Sequence, residues 1–100
     1  MQQILTQNID LVKDICMKHN VKRLYVFGSI CTEKFNEHSD IDFIVGFDPK
    51  FFDGYVDNFI SLENSLKQVL HRNIDLVAEE TIQNPYFIKV VNKTKVSIYE

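Results

Sequence analysis

One hundred residues with a mass of 11.7 kDa allow a single domain, which we place over residues 1–100. Apolar residues make up 45% of the chain, enough to build a hydrophobic core at this length. Fourteen acidic residues against eleven Lys and Arg give a net charge of −3, which argues against direct binding to nucleic acid. Three Gly and two Pro are too few for a collagen-like or low-complexity chain.

The sequence shows neither the pattern of a signal peptide nor that of a membrane span. No basic stretch followed by an apolar one begins the sequence, and no apolar run approaches the roughly 18 residues of a membrane span. The two cysteines, Cys16 and Cys31, form no CxxC pair and have no His at ligand spacing, which argues against a zinc site. We therefore expect a cytoplasmic protein with two reduced thiols.

Helical periodicity and β-forming residues predict elements that alternate along the chain. In chain order these are a helix over 3–19 ended by Asn20, a strand over 22–27, a polar loop with a short helical turn over 29–39, a buried central strand over 41–47 ended by Pro49, a helix over 53–71, a strand over 74–78, a helix over 81–92 with Pro85 in its first turn, and an edge strand over 96–99. Phe51 and Phe52 are expected to pack at the start of the helix over 53–71. This order predicts an α/β domain.

Two of the predicted strands begin with carboxylates that a buried strand does not need. Asp40 and Asp42 flank Ile41, so their side chains project from one face of the strand, about 7 Å apart. Asp75 begins the next strand, in the similar phrase N-I-D-L-V. If these two strands are neighbours in the sheet, the three carboxylates converge on one patch.

A converged acidic patch predicts a bound cation, because three close carboxylates stay ionised together only when a cation neutralises them. Oxygen ligands without His or Cys favour magnesium or manganese over zinc. Magnesium usually completes its shell with water and phosphate oxygens, so the patch predicts a nucleotide or another polyphosphate. Taken singly, each acid has a simpler interpretation: Asp40 belongs to a turn that opens a strand, and Asp75 caps the end of its strand that lies beside Arg72.

A second feature of the sequence suits phosphate. The first strand ends at Gly28 and Ser29, where glycine permits a tight turn and serine offers a hydroxyl. A helical turn that begins there has free N–H groups, which favour anions. Alone, a Gly-Ser pair after a strand usually marks only a turn.

Together the two features form the pattern G-S-x10-D-x-D, from Gly28-Ser29 to Asp40-Ile41-Asp42. With this pattern the chain resembles the DNA polymerase β-like nucleotidyltransferase superfamily. It is most similar to the minimal nucleotidyltransferases (MNT) that pair with HEPN-domain proteins as toxin–antitoxin modules. The resemblance continues through N-I-D-L-V to N-P-Y-F-I-K-V-V and the closing S-I-Y-E, and it implies a small mixed β-sheet flanked by helices.

The resemblance also implies roles for individual residues. Gly28 and Ser29 correspond to the pair that binds the phosphates of ATP, and Asp40 and Asp42 to the pair that holds two magnesium ions. Asp75 corresponds to the third acid, which binds the catalytic metal and helps to deprotonate the attacking hydroxyl. The implied reaction moves AMP to a tyrosine hydroxyl of a HEPN toxin and releases pyrophosphate. The chain would then be the antitoxin of a hetero-oligomeric complex.

The chain departs from the family pattern beside the phosphates. Many members read G-S-x-A-R-G, whereas residues 28–33 here read G-S-I-C-T-E. Thr32 stands in place of the arginine, and Glu33 adds a negative charge near a polyanion. Lys34 is the nearest cation that would compensate, so we expect it to contribute to nucleotide binding.

Two alternatives stay open at this stage. The altered residues Thr32 and Glu33 motivate a catalytically weak nucleotide-binding module that neutralises its partner by complex formation alone. The second alternative is modification of a small molecule, as in antibiotic nucleotidyltransferases, which so short a chain could achieve only as a dimer.

Overall fold

Four strands form one mixed sheet in the computed structural model, which describes residues 3–50 and 53–100. They are β1 (Val21–Phe27), β2 (Ile41–Phe47), β3 (Ile74–Ala78) and β4 (Val96–Tyr99). β1 pairs antiparallel with both β2 and β4, and β2 pairs parallel with β3, so the order across the sheet is β3-β2-β1-β4. The nearly continuous apolar sequence of β2 correctly predicted an interior strand, and β4 is the predicted edge strand.

Four helices and two 3₁₀ turns complete the described chain. The helices are α1 (Gln3–Gln7), α2 (Ile9–Lys18), α3 (Tyr55–Leu70) and α4 (Pro85–Thr94), and the 3₁₀ turns span Gly28–Cys31 and Glu79–Thr81. The small mixed sheet flanked by helices is the fold class that the sequence predicted. Phe51 and Phe52, expected at the start of α3, lie outside the described residues. None of the described helices is long and apolar enough to cross a membrane.

The single helix predicted over residues 3–19 is wrong at Asn8, where the structure divides it into α1 and α2. The Asn8 side chain donates from Nδ2 to the carbonyl of Ile4 at 2.8 Å, and its backbone N–H donates to that of Leu5 at 3.1 Å. Asparagine competes with helical hydrogen bonds in this way, which explains the break. The predicted end of the helix is confirmed, because Asn20 has a φ of 59°.

One face of the sheet carries the main hydrophobic core, packed against α2 and α3. Side chains alternate along each strand, so every second residue of β1, β2 and β3 points into this core. Fully buried members include Val12, Leu24, Phe43, Val45, Leu62 and Leu66. Leu11 is 55% exposed, since it lies on the outer side of α2.

The other face of the sheet is largely open. It carries the alternate side chains of the strands, and α4 covers part of it through Val91, which is the buried residue of that helix. Val91 forms a small second core with Phe27 and Ile44. Asp75 on this face is exposed, and Tyr25, Asp42 and Val77 are only half-buried, so part of the face stays accessible. We call it the open face.

The start of α4 is fixed by a local cap and a cross-sheet ion pair. Asn84 accepts the backbone N–H groups of Tyr86 at 2.9 Å and Phe87 at 3.4 Å. The predicted start of this helix at residue 81 is wrong, because the helix begins at Pro85, which stands at its first position. Upstream, Arg23 donates to both carboxylate oxygens of Glu79 at 2.8 Å. This pair ties β1 to the 3₁₀ turn that leads into α4 and lowers the pKa of Glu79.

Candidate active site

The pairing of β2 with β3 brings two carboxylates side by side on the open face. Asp42 pairs with Asp75 in parallel register, and Phe27 of β1 pairs with Asp42 from the other side. Adjacent strands lie about 4.8 Å apart, so the side chains of Phe27, Asp42 and Asp75 form one short row. We call it the acidic row. Asp42 is half-buried within the row and Asp75 is exposed at its end. The neighbouring strands that the sequence argument required are thus confirmed.

Asp42 has the electrostatic signature of a crowded acidic site. Burial raises the pKa of its carboxyl group, and the nearby charges of Asp75 and Asp40 raise it further. Asp40 therefore acts on Asp42 although it precedes β2 and is exposed. A fold that only required stability would not place these like charges together, because each disfavours ionisation of the others.

Gly28 lies directly against this acidic row. Its φ is +77°, and a Cβ built on it would stand 2.6 Å from Oδ2 of Asp42. The residue must therefore be glycine for two reasons: its backbone conformation strains L-residues, and the carboxylate occupies the space of a side chain. The Gly28–Cys31 turn, with Ser29 half-buried at its second position, consequently begins beside the carboxylate.

Thr32 has a clear structural task at the position where the family pattern has arginine. Its hydroxyl donates to the carbonyl of Ser29 at 2.8 Å, and its backbone N–H donates to the same oxygen at 2.9 Å. The hydroxyl also accepts the N–H of Lys34 at 3.2 Å. Thr32 thus closes the turn that follows Gly28 without supplying a charge.

The two charged residues after Thr32 take different positions. Glu33 lines a cavity of about 580 Å³ with Lys93 and Val96, on the β4 side of β1, and the three acids do not line it. Lys34 is exposed and forms no ion pair with any described residue. The negative charge of Glu33 therefore lines a cavity to which Asp40, Asp42 and Asp75 do not contribute.

Arg72 fixes the loop that carries Asp40. Its Nη2 donates to the carbonyls of Asn36 and Ser39, the second at 2.6 Å, and its guanidinium lies 4.6 Å from the ring centre of Phe35. Next along the chain, the carbonyl of Asn73 accepts the N–H of Ile41 at 3.0 Å. The turn before β3 thus positions the residues before β2.

The sequence indicated Arg72 only as a neighbour of Asp75, so its positioning role was missed. One signal was available. Arg72 is one of only two arginines in the chain, and Phe35 is a lone aromatic residue in an otherwise polar loop. Asp40 also shares a polar cavity of about 420 Å³ with Lys67, His71 and Arg72, which no spacing along the sequence indicated.

The donors present suit a hard cation that keeps part of its own hydration shell. No three His, Cys, Asp or Glu side chains within residues 3–50 and 53–100 stand close enough to form a complete metal cage. Magnesium does not require one, because it binds through one or two carboxylates plus water and phosphate oxygens. Asp42 and Asp75 supply two such carboxylates in register, with the Gly28–Cys31 turn adjacent.

Comparison with known proteins places the chain beside enzymes that transfer nucleotides. The family model described as polymerase beta, nucleotidyltransferase matches residues 7–100. A protein of Methanocaldococcus jannaschii, named as a candidate protein adenylyltransferase, is 30% identical over 92 residues. This alignment covers 92% of the present chain and 88% of the relative.

Solved structures share the fold. A candidate minimal nucleotidyltransferase aligns with a TM-score of 0.76 and 25% identity, over 92% of this chain and 90% of that chain. The second is a chain from the complex of a tri-AMPylated Shewanella oneidensis HEPN toxin with an MNT antitoxin. It aligns with a TM-score of 0.64 and 17% identity, over 94% of this chain and 71% of that chain. At that identity the likeness concerns the fold alone.

The contact between Gly28 and Asp42 predicts a difference between two glycine substitutions. Gly28→Ala should lower the free energy of unfolding by about 1–2 kcal/mol from backbone strain, and further because Oδ2 of Asp42 must move. Gly54→Ala is the matched control, since Gly54 has a φ of +70° but no atom within 4 Å of the place that a Cβ would take. Urea unfolding measures both. Equal losses would mean that the carboxylate does not restrain this position.

The crowding of Asp42 predicts that removing its charge stabilises the protein. Its native pKa is raised above the ordinary value of about 3.9, so ionisation favours the unfolded chain as the pH rises through that window. Without divalent metal, Asp42→Asn should unfold at a higher urea concentration than the wild type at pH 7. This advantage should shrink as the pH falls towards 4. A variant less stable than the wild type at pH 7 would assign the carboxylate a structural role.

The contacts of Arg72 predict that it supports the acidic site, whereas the other arginine does not. Arg72→Met should cost about 1.5–3 kcal/mol of stability and weaken Mn²⁺ binding about tenfold, measured by electron paramagnetic resonance with inorganic tripolyphosphate, which has no base. Arg23→Met, which removes the pair with Glu79, should cost stability and leave Mn²⁺ affinity unchanged. The same Mn²⁺ affinity in both variants would contradict the positioning role.

Proposed function

Because the chain belongs to the polymerase β nucleotidyltransferase family, we propose that it transfers AMP from ATP to a tyrosine hydroxyl of a HEPN-domain toxin and so acts as the antitoxin. Family membership makes the chain a nucleotidyltransferase. The observation that carries the rest is the pairing of Asp42 with Asp75 beside Gly28 on an accessible face of the sheet. The MNT antitoxin and AMPylated toxin of the similar complex support this acceptor class by analogy of fold.

Asp42 and Asp75, with Asp40 at the edge of the row, are the residues that would hold magnesium or manganese. When bound there, the ions would supply positive charge to the three carboxylates and to the phosphates of ATP. The donor set agrees with this choice, since it consists of carboxylate oxygens without His or Cys. Burial raises the pKa of the Asp42 carboxyl group most, and the like charges of Asp75 and Asp40 raise it further, so a bound cation would offset part of this cost.

The remaining residues bind and orient the nucleotide in this proposal. Gly28 presents backbone without a side chain, so a phosphate can approach closely, and Ser29 offers a hydroxyl next to it. Lys34, exposed and without an ion pair among the described residues, would contribute the charge that the family arginine supplies elsewhere. Thr32 keeps the turn closed through Ser29, so the shape of the loop is retained although its charge is lost.

In this proposal Asp75 would receive the proton of the acceptor hydroxyl, and its exposure at the end of the acidic row supports this role. The hydroxyl oxygen would attack the α-phosphorus of ATP while the bond to pyrophosphate breaks. AMP is then joined to the acceptor, and the proton passes to the carboxylate and on to water. Such a transfer depends on positioning and electrostatics more than on covalent catalysis by the protein.

An accessible acidic row suits a macromolecular acceptor. The open face is covered only in part by α4, so a partner's side chain can approach the row. A small substrate would instead need a closed pocket that buries most of its surface. Asp75 is exposed and Asp42 is only half-buried. This argues for the protein acceptor over the antibiotic-type substrate.

The proposal predicts transfer of label from α-labelled ATP to the protein encoded next to this chain, in the presence of magnesium. Asp42→Asn should reduce that transfer by at least about a hundredfold while the fold stays intact. Replacing the acceptor tyrosine by phenylalanine should remove the label. Full transfer by Asp42→Asn would place the chemistry elsewhere.

The contact-only alternative makes the opposite prediction. Thr32 and Glu33 favour it, because the loop lacks the arginine of the family pattern. In that case the double variant Asp40→Asn, Asp42→Asn would still bind its partner and still neutralise it. Loss of neutralisation in an intact complex would exclude the contact-only mode. A stable wild-type complex without label would favour it, and a Thr32→Arg, Glu33→Gly double variant would then show whether the loop is the cause.

A further inference from the structure

A cavity of about 450 Å³ opens between the end of β3 and the start of α4, lined by Val77, Thr81, Ile82, Gln83, Asn84 and Phe87. We propose that this cavity is the subsite for the nucleobase of the transferred nucleotide. The inference rests on the proposed function, because it assumes that the acidic row and the Gly28–Cys31 turn hold the phosphates.

The cavity lies on the same face as the acids and close to them. Val77 follows Asp75 by two residues on β3, so both side chains point from the open face, about 7 Å apart. On the other side, the ring of Phe87 meets the ring of Phe27 edge to face at 5.9 Å, and Phe27 pairs with Asp42. Phe87, the aromatic wall of the cavity, thus contacts the row at Phe27. Val77, an aliphatic wall, follows Asp75 at the opposite end of the row.

The lining has the chemistry that a planar base requires. Val77, Ile82 and Phe87 offer apolar surface to the faces of a base, and Phe87 keeps 38% of its surface exposed despite its contact with Phe27. An aromatic ring left half-exposed beside an acidic site has little value for the core. It has considerable value as a surface on which a base can stack.

The polar rim leaves one amide available to the edge of a base. Thr81 donates its hydroxyl to the carbonyl of Ala78 at 2.7 Å, and Asn84 uses Oδ1 to cap α4. The Gln83 side chain, in contrast, makes no hydrogen bond with the described residues, and it carries both a donor and an acceptor. Gln83 is therefore the side chain placed to distinguish one base from another.

The wall formed by Phe87 is held in place before any ligand binds. Asn84 caps the backbone N–H of Phe87 itself, and Pro85 fixes the first turn of the helix. The pair between Arg23 and Glu79 anchors the preceding 3₁₀ turn. A preformed wall reduces the cost of ordering on binding.

A second cavity on the other side of Ile82 provides the control. It measures about 230 Å³, includes Tyr25, Ile88 and Lys95 in its lining, and does not include Val77 or Phe87. Phe87 and Ile88 are adjacent in sequence and almost equally exposed, at 38% and 37%, yet they line different cavities. Substitutions at these two positions therefore differ mainly in which cavity they alter.

The test compares ATP with inorganic tripolyphosphate, which has the phosphates but no base, by calorimetric titration of the full chain with magnesium. Phe87→Leu should weaken ATP binding about tenfold or more and leave tripolyphosphate binding within about twofold. Phe87→Trp should retain ATP affinity, because it keeps an aromatic surface. Ile88→Ala should leave the affinity for both ligands within about twofold of the wild type, since it alters the other cavity. Thermal unfolding confirms that each variant is folded.

Several outcomes would overturn the subsite. The base would lie elsewhere if Phe87→Leu left the affinity for ATP unchanged or lowered the affinity for both ligands equally. It would also lie elsewhere if Ile88→Ala lowered the affinity for ATP alone. Failure of the proposed function is a separate result, since the wild type would then transfer no label to its partner, whether it binds ATP or binds neither ligand. A wild type that binds both ligands, with variants that affect them alike, would reject the subsite alone.

Discussion

The register between β2 and β3 is the constraint on which the site depends. Parallel pairing places Asp42 opposite Asp75, and the resulting repulsion must be offset by the rest of the fold. The main core does so from the other face, where α2 and α3 bury residues such as Phe43 and Leu66 completely. A slip of one residue would turn Asp42 into that core, so the hydrophobic pattern of β2 also fixes the direction of its carboxylate.

One face of the sheet therefore supplies most of the buried core, and the other carries the candidate active site. The packed face has large, fully buried side chains, and the open face has a small core of Phe27, Ile44 and Val91 beside the charged row. Gly28 contributes to the fold and to the site, because it allows the tight turn and also leaves room for the Asp42 carboxylate. The two arginines have structural roles. Arg23 binds Glu79 in the 3₁₀ turn before α4, and Arg72 holds the loop before β2.

Most of the fold could be predicted because its signals are local. The run I-D-F-I-V-G-F identified β2, and Asp42 within it marked the strand face that carries an acid. Asp40 precedes β2 in the structure, so the strand alternation predicted for it does not apply. The break at Asn8 was missed because a side-chain hydrogen bond outweighed a helical pattern. Arg72 and Phe87 were missed for another reason: their contacts, with the loop before Asp40 and with Phe27, join segments distant in sequence. No spacing rule reports such contacts.

The position of β4 has a consequence for how the protein is made. β1 lies between β2 and β4, so one of its two hydrogen-bonding edges is satisfied only by residues 96–99. During vectorial synthesis, β1, β2 and β3 all emerge before those residues do. The nascent chain must therefore carry an unpaired edge along β1 until the last strand is translated, and that edge is a template for pairing with another chain. Co-translational capture of this edge by a chaperone or by a partner protein would protect the chain during that interval.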